Sequence, residues 1–318
     1  PAMAQDEDIL TIYSGRSESL IGPLLEQFTE DTGIEVEVLY GGTSAVANQI
    51  LVEGKNSPAD IFISQDGGAL GALAAEEMLI QLPEDILEQI ISPAFVSPDG
   101  VWIGLSGRAR VLVYNSELLE EHELELPESI LDLTSEEWSG LVGWAPTNAS
   151  FVTNVTAMRI LLGDEETETW LADMIANNVQ AYEGNTPIVQ AVIDGELAAG
   201  LVNHYYLFRF LAEDPDITTA LHFFPGGDAG SLINIAGVGI LSTSDQQEVA
   251  LQLVEYMLNE ESQEYFATET YEYPMIEAVE PSVELPALAD IEAPEIDLSD
   301  LDDLQGTLEM IENSGALD

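Results

Sequence analysis

The stretch AAGLVNHYYLFRFLAE, residues 198–213, decides how the chain is read. Ala198 to Val202 are apolar throughout, as in a buried strand, and Leu207, Phe210 and Leu211 fall at helical spacing behind them. Asn203, His204, Tyr205 and Tyr206 thereby occupy a strand-to-helix turn, which is where open α/β sheets bind ligands. Adjacent tyrosines at such a turn can face one cleft, whereas inside a strand they would face opposite sides. A free phenol ionises only at about pH 10, so tyrosinate at neutral pH needs a strongly cationic partner. A hard trivalent ion is such a partner, and anionic oxygen suits Fe(III) better than softer metals. Two half-buried aromatics at a helix start explain the same residues, and local chemistry weighs the two readings evenly.

Outward from this turn the chain alternates helical and strand patterns. Leu20, Ile21, Leu24, Leu25 and Phe28 fit a helix that follows Ser17 or Ser19 as N-cap and closes at Gly33, and IEVEVLY (34–40) alternates as a half-buried strand does. A helix over 44–53 ended by Gly54, a strand at DIFIS (60–64) and an Ala/Leu-rich helix over 69–79 continue the rhythm of an α/β protein. Two β-rich stretches, WIGLSGRARVLVYN (102–115) and INIAGVGIL (233–241), read as strands that cross between two lobes. The expected division is residues 7–104 and about 235–275 for the first lobe, 105–234 and about 276–318 for the second. Residues 272–300, rich in Pro, Glu and Asp, read as an extended connection before a last helix near 303–312. Residues 1–6 read as a tag or mature N-terminal tail, with Pro1 to Ala4 a cloning remnant.

Sixty acidic residues against six basic ones give a formal net charge of −54. Such a surface repels nucleic acid phosphates and anionic lipid, so neither is expected as a partner, and it reads as a solvated shell suited to high salt. With no cysteine, any metal must be held by oxygen or nitrogen. No apolar run reaches the roughly 18 residues that crossing a bilayer requires. The start PAMAQDED lacks the basic and apolar regions of a secretory signal. The chain carries no G-x-S-x-G elbow, no P-loop and no G-x-G-x-x-G after a strand, and His122, His204 and His222 lack the spacing of a zinc site. No enzymatic activity is expected. Carboxylate pairs are so frequent that a carboxylate-based hydrolase stays as the minor alternative.

The N-x-Y-Y segment after a G-L-V strand resembles the iron-ligand segment of the bacterial ferric-ion-binding proteins, transferrin-like substrate-binding proteins of ABC importers. LTIYSGRSESLIGPLLEQF (10–28), SPADIFISQDGGALGAL (57–73), GRARVLVYN (107–115), GWAPTNASF (143–151), GNTPIVQAV (184–192) and DLSDLDDLQGTLEMI (297–311) resemble the family in the same order. The resemblance implies a type II periplasmic-binding-protein fold: two α/β lobes, each a mixed sheet flanked by helices, joined by crossing β-strands. It implies an extracytoplasmic protein, periplasmic or held at the cell surface by a lipid, that closes as a monomer on Fe(III) between its lobes and passes it to a membrane permease. Tyr205 and Tyr206 are the implied metal ligands. Asn148, Ala149 and Ser150 stand where the family holds a synergistic anion such as carbonate or phosphate, and Asn185 and Asn203 match positions that contact this anion or the ligand shell.

The chain departs from the family pattern at Ser17, where many members have a histidine ligand, at Gln65 and Asp66, where some have a glutamate, and at Phe151, where one subgroup has a third tyrosine. Glu18 and Asp66 are therefore the candidates for further metal ligation; Glu18 reads equally as acidic surface and Asp66 as a helix cap. Arg16, one of five arginines, would offer its fork of donors to the anion or to a ligating carboxylate, or form a structural ion pair. The same fold could instead carry an organic anion, a polyamine or an iron chelate.

Overall fold

The computed structural model describes residues 9–317, so the expectation for residues 1–6 lies outside the described residues. Ten strands are placed among them: β1 (Ile9–Ser14), β2 (Glu35–Tyr40), β3 (Ile61–Ser64), β4 (Ile103–Asn115), β5 (Val142–Trp144), β6 (Gln180–Ala181), β7 (Ala199–Asn203), β8 (Thr219–His222), β9 (Ile233–Ile240) and β10 (Tyr273–Pro274). Helices alternate with them along the chain, as the sequence periodicity predicts.

The chain divides into two compact units, the first holding residues up to Gly107, Asn234–Glu284 and Asp297–Asp302, the second Arg108–Ile233, Leu285–Ile296 and the chain from Asp303 on. The first division falls inside β4 and the second at the start of β9, so both β-rich stretches run from one unit into the other.

In the first unit β1 pairs in parallel with β2 on one side and β3 on the other, and β3 pairs antiparallel with β9. β2 has one neighbour and half-buries alternate residues, which accounts for the alternation of Glu and Val in its sequence. The helix Glu18–Thr32 buries Ile21, Leu24, Leu25 and Phe28, the residues at helical spacing, and ends at Gly33, whose φ of 76° is the left-handed conformation glycine adopts without penalty.

The helix expected over 69–79 spans Gly67–Ala75. Asp66 caps it two residues earlier than the pattern suggests, and Glu77, at φ 55°, follows in a turn. Its glycines explain a further difference. A Cβ on Gly71 would lie 2.5 Å from the Ser299 carbonyl oxygen, and one on Gly68 would run into that of Leu301. This close backbone approach ties Asp297–Asp302 to the first unit, although the sequence reading assigns everything beyond about 276 to the second. The rest of 272–300 is irregular apart from β10 and single 3-10 turns at Leu288–Asp290 and Leu298–Asp300.

In the second unit the later part of β4 pairs antiparallel with β7 and with β8, while β5 lies parallel between β7 and β6. Trp144, Phe151 and Trp170 meet with ring centroids 5.3–6.4 Å apart at the centre of its core. Phe151 is thus a core residue here, 1% exposed. The last helix, Leu304–Ser314, adds Met310 and Ile311 to this core and is fixed by a 2.8 Å hydrogen bond between the hydroxyls of Thr156 and Thr307. No helix among the described residues is long and apolar enough to cross a membrane.

Candidate metal-binding site

β7 ends at Asn203 and the helix Tyr205–Glu213 begins two residues later, so the turn anticipated from the sequence is this single abrupt junction. The first helical turn carries both tyrosines on one side: their rings stack with centroids 4.5 Å apart and planes at 30°. Tyr205 is buried and Tyr206 half-buried. His204, fully buried, accepts a hydrogen bond on Nδ1 from the Ala109 N–H at 3.1 Å, and its ring meets Tyr205 edge-on. It packs against Tyr205, with that nitrogen engaged by the backbone.

Arginines surround this pair. Arg209 follows Tyr205 by four residues and Tyr206 by three, the spacings that put side chains on one helical face. Its guanidinium carbon lies 5.3 and 5.2 Å from the two ring centres, within the range of a cation–π contact. Arg108 and Arg110 are two apart on β4 and share one face of it, both buried. β4 registers Arg110 opposite Asn203. From there Arg110 Nη1 donates to Asn203 Oδ1 at 3.1 Å and to Asn185 Oδ1 at 3.2 Å, and the Asn203 N–H donates to the same Asn185 oxygen at 3.2 Å. Asn203 Nδ2 then donates to Ser150 Oγ at 3.0 Å and to the Tyr205 hydroxyl at 3.3 Å.

One chain of hydrogen bonds therefore runs from Arg110 through Asn185 and Asn203 to Ser150 and Tyr205. Ser150 stands in the first turn of the helix Ala149–Leu162, whose N-cap Asn148 accepts the Ser150 N–H at 3.0 Å. Ala149 is exposed there, and Asn148 and Ser150 are half-buried, so this helix start is open to an anion.

Burial pushes the Tyr206 phenol well above the usual phenol value, and the charge and hydroxyl of Tyr205 add to this, while Arg209 and Arg108 pull it down. Burial pulls Arg110 down to about 10, with Tyr205 and Tyr206 drawing it back up and Arg108 opposing them. Arg110 is thus a cation at neutral pH, the raised Tyr206 phenol is neutral there, and a metal would have to displace its proton. Only a strongly polarising ion does this, and the neighbouring guanidiniums stabilise the tyrosinates that result.

The expected site residues of the first unit are engaged differently. Arg16, expected at the anion, is fully buried and ion-paired: Nη2 donates to Glu272 Oε2 at 2.7 Å and Nη1 to Ser106 Oγ at 3.0 Å. It takes the structural role because Glu272 is buried beside it and no other counter-charge is needed. Asp66 likewise takes its alternative role, Oδ1 accepting the Ala69 N–H at 2.9 Å as the cap of its helix. Glu18 is exposed in the first turn of its own helix, beside Tyr40. Among the described residues no three His, Asp or Glu side chains gather into a set able to hold a metal.

Sequence reasoning missed Arg110 and Arg209 as members of the tyrosine site. The i, i+3 and i, i+4 relation of Arg209 to the tyrosines was available to it; the approach of Arg110 depends on the β4–β7 register, which no local pattern reveals.

A family model described as bacterial extracellular solute-binding protein matches residues 24–293. The Fe(3+)-binding periplasmic protein of Serratia marcescens is 32% identical over 319 aligned residues, covering 99% of this chain and 93% of that protein. Iron-bound HitA from Pseudomonas aeruginosa superposes with a TM-score of 0.86 at 32% identity, over 96% of this chain and 99% of that one. A Trichodesmium protein solved in complex with iron and citrate ligands gives a TM-score of 0.77 at 26% identity, over 96% and 99%. The tyrosine junction, its asparagine neighbours and a likeness that runs the length of the chain agree: the chain belongs to the bacterial extracellular solute-binding proteins, among their ferric-ion-binding members.

Proposed function

We propose that this protein is the extracytoplasmic substrate-binding component of an ABC importer, that it captures Fe(III) through the phenolate oxygens of Tyr205 and Tyr206 with a small synergistic anion, and that it hands the ion to a membrane permease. The observation that carries the reading is the stacked tyrosine pair at the β7 junction, set among Arg108, Arg110 and Arg209 in a chain that has only six basic residues. A surface of net charge −54 attracts metal cations non-specifically, whereas this one locus combines hard oxygen ligands with the cations that favour their ionisation. Glu18, exposed in its helix, is the first unit's candidate for a further ligand, and Asn148, Ala149 and Ser150 are the candidates for the anion.

A second reading, in which the cargo is a ferric chelate of an organic acid, is favoured by the Trichodesmium neighbour, whose structure holds iron with citrate.

Titration of the iron-free protein with ferric citrate, and separately with ferric nitrilotriacetate, followed by visible absorption and by analysis of bound citrate, tests both readings. Tyrosinate bound to Fe(III) gives a charge-transfer band. Tyr206→Phe and Tyr205→Phe should each abolish or strongly weaken it while leaving the fold intact, because each removes one oxygen. An unaltered band in both variants would move the site elsewhere, and citrate retained in equal amount with iron would select the second reading.

A further inference from the structure

β2 is the edge of the first unit's sheet: among the described residues it pairs with β1 alone. Just beyond it the Gly41 N–H donates to the Ser14 carbonyl at 3.0 Å, so the odd-numbered residues of this stretch turn their backbone groups toward β1. The N–H and C=O groups of Val36, Val38 and Tyr40 therefore point away from the sheet, a row of donors and acceptors that another strand can pair with.

The side chains of the same three residues are only half-buried, whereas β3, paired on both sides, is buried throughout. They line a cleft of about 480 Å³ whose other wall is Leu25, Glu26 and Thr29 of the helix Glu18–Thr32. The cleft lies wholly within the first unit. Its valines lack the cover that a next strand would give, since alternate side chains of such a strand would stand beside them.

Charge decides what that strand can be. Glu35 and Glu37 alternate with the lining residues and are exposed, and Glu18, Glu26 and Glu30 rim the cleft. Burial raises the Tyr40 phenol there, and Glu18 and Glu26 raise it further. A second copy of this chain laid along β2 would set glutamates against glutamates, which opposes pairing. A strand with lysine or arginine at alternate positions would set cations beside Glu35 and Glu37 and turn its apolar residues into the cleft.

We propose that the β2 edge is a docking site for an extended segment of a partner protein, one that alternates basic with apolar residues and joins the sheet as a further strand. The inference does not rest on the ferric reading, whose tyrosines lie in the second unit.

The test titrates the iron-free protein with a fluorescently labelled peptide of about eight residues alternating lysine and valine, long enough to span β2. A second peptide has the same composition with its lysines and valines in two blocks. Anisotropy should show the alternating peptide binding tighter by about 10-fold or more, because the protein's net charge attracts both alike and only one can pair while filling the cleft. Val38→Pro should weaken the alternating peptide by about 10-fold, since it removes an outward N–H and leaves the bonds to β1 in place. Glu35→Lys combined with Glu37→Lys should weaken it by a similar factor of about 10, through like charges across the new pairing. Glu309→Lys combined with Glu312→Lys makes the same change of net charge on the exposed side of the last helix and should stay within about twofold of the parent. Amide hydrogen exchange should slow at Val36, Val38 and Tyr40 in the complex. Circular dichroism checks each fold; if Val38→Pro fails to fold, the lysine pair on β2 carries the test.

Equal affinities for the two peptides, no binding of the alternating peptide by the parent, or unchanged exchange at those three amides would overturn the proposal. So would affinities within about twofold of the parent in the folded β2 variants, which net charge alone would explain. A parent that dimerises in sedimentation, with a Val38→Pro variant that does not, would give the edge to a second copy and overturn it as well.

Discussion

Arg16 and Arg110 are both buried guanidiniums in a chain of net charge −54, one in each unit, and they are wired in opposite ways. Arg16 meets Glu272 with two nitrogens, lies 5.6 Å from the Phe266 ring centre, and donates to Ser106. Ser106 and Thr270 in turn donate to Glu272 Oε2, each at 3.0 Å. Its charge is neutralised inside the first unit. Arg110 is held only by neutral amide oxygens and faces two phenols. A closed ion pair holds a fold together, whereas a guanidinium oriented by amides keeps its charge for something else. The residue type and the burial are the same; the partners decide between structure and function.

The largest effect follows from removing the first arginine. Arg16→Met leaves the Glu272 carboxylate buried without its guanidinium and should destabilise the iron-free protein by about 3–5 kcal/mol. Adding Glu272→Leu should recover most of that, since the pair is then replaced by apolar groups of similar volume. Arg110→Met strands no charge and should stay within about 1–2 kcal/mol of the parent, reflecting the lost hydrogen bonds to Asn185 and Asn203. Urea unfolding of the variants measures all three. Equal losses for Arg16→Met and Arg110→Met would erase the contrast.

The contrast also marks what the sequence could convey. The alternation at Glu35–Tyr40, the apolar spacing of Ile21, Leu24, Leu25 and Phe28, and Gly33 as a stop are local signals, and each element they predict is present. The junction at Asn203–Tyr206 was legible for the same reason, because a strand pattern gives way to a helical one within four residues. The arginines were not. Whether Arg16 is paired depends on Glu272, which lies 256 residues away, and whether Arg110 reaches the site depends on its register with Asn203, 93 residues on. The attachment of Asp297–Asp302 to the first unit was hidden likewise, since it rests on Gly67, Gly68 and Gly71 offering a face without side chains. Single-residue patterns report period and polarity; they do not report partners distant in the chain.

A smaller effect compares the units through their phenols. Tyr206 in the second unit and Tyr273 in the first are both raised by burial, and Arg209 and Arg108 draw Tyr206 down. Below about pH 10 each phenol is neutral folded and unfolded, and its contribution is complete. Above that, the unfolded phenol ionises first, so stability falls as pH rises, by about 1.4 kcal/mol per pH unit for each such group. Tyr206→Phe and Tyr273→Phe should each make the decline between pH 10 and 11 shallower by that amount in urea titrations of the iron-free protein. An unchanged slope for Tyr206→Phe alone would mean that the arginines outweigh burial and that the second unit is more cationic than its neutral phenols suggest.

The smallest effect separates the buried charges from the surface. Exposed carboxylates outnumber exposed cations so heavily that like-charge repulsion opposes the compact state, and it acts at distances that salt controls: the screening length falls from about 10 Å at 0.1 M to about 3 Å at 1 M. The helix Asp164–Ala176 shows both sides of this, since its three leading acids favour the helix N-terminus yet crowd one another. Raising salt should therefore raise the melting temperature of the iron-free protein, by about 2–4 °C for each kcal/mol of repulsion relieved in units of this size. The Arg16–Glu272 pair, 0% and 3% exposed, lies beyond the reach of that screening. The melting curves of the parent and of Arg16→Met should then rise in parallel with salt, the gap between them constant. A gap that closes at high salt would show that part of the pair's contribution comes from the surrounding acidic field, and a flat parent curve would show that the acidic shell does not act through repulsion at all.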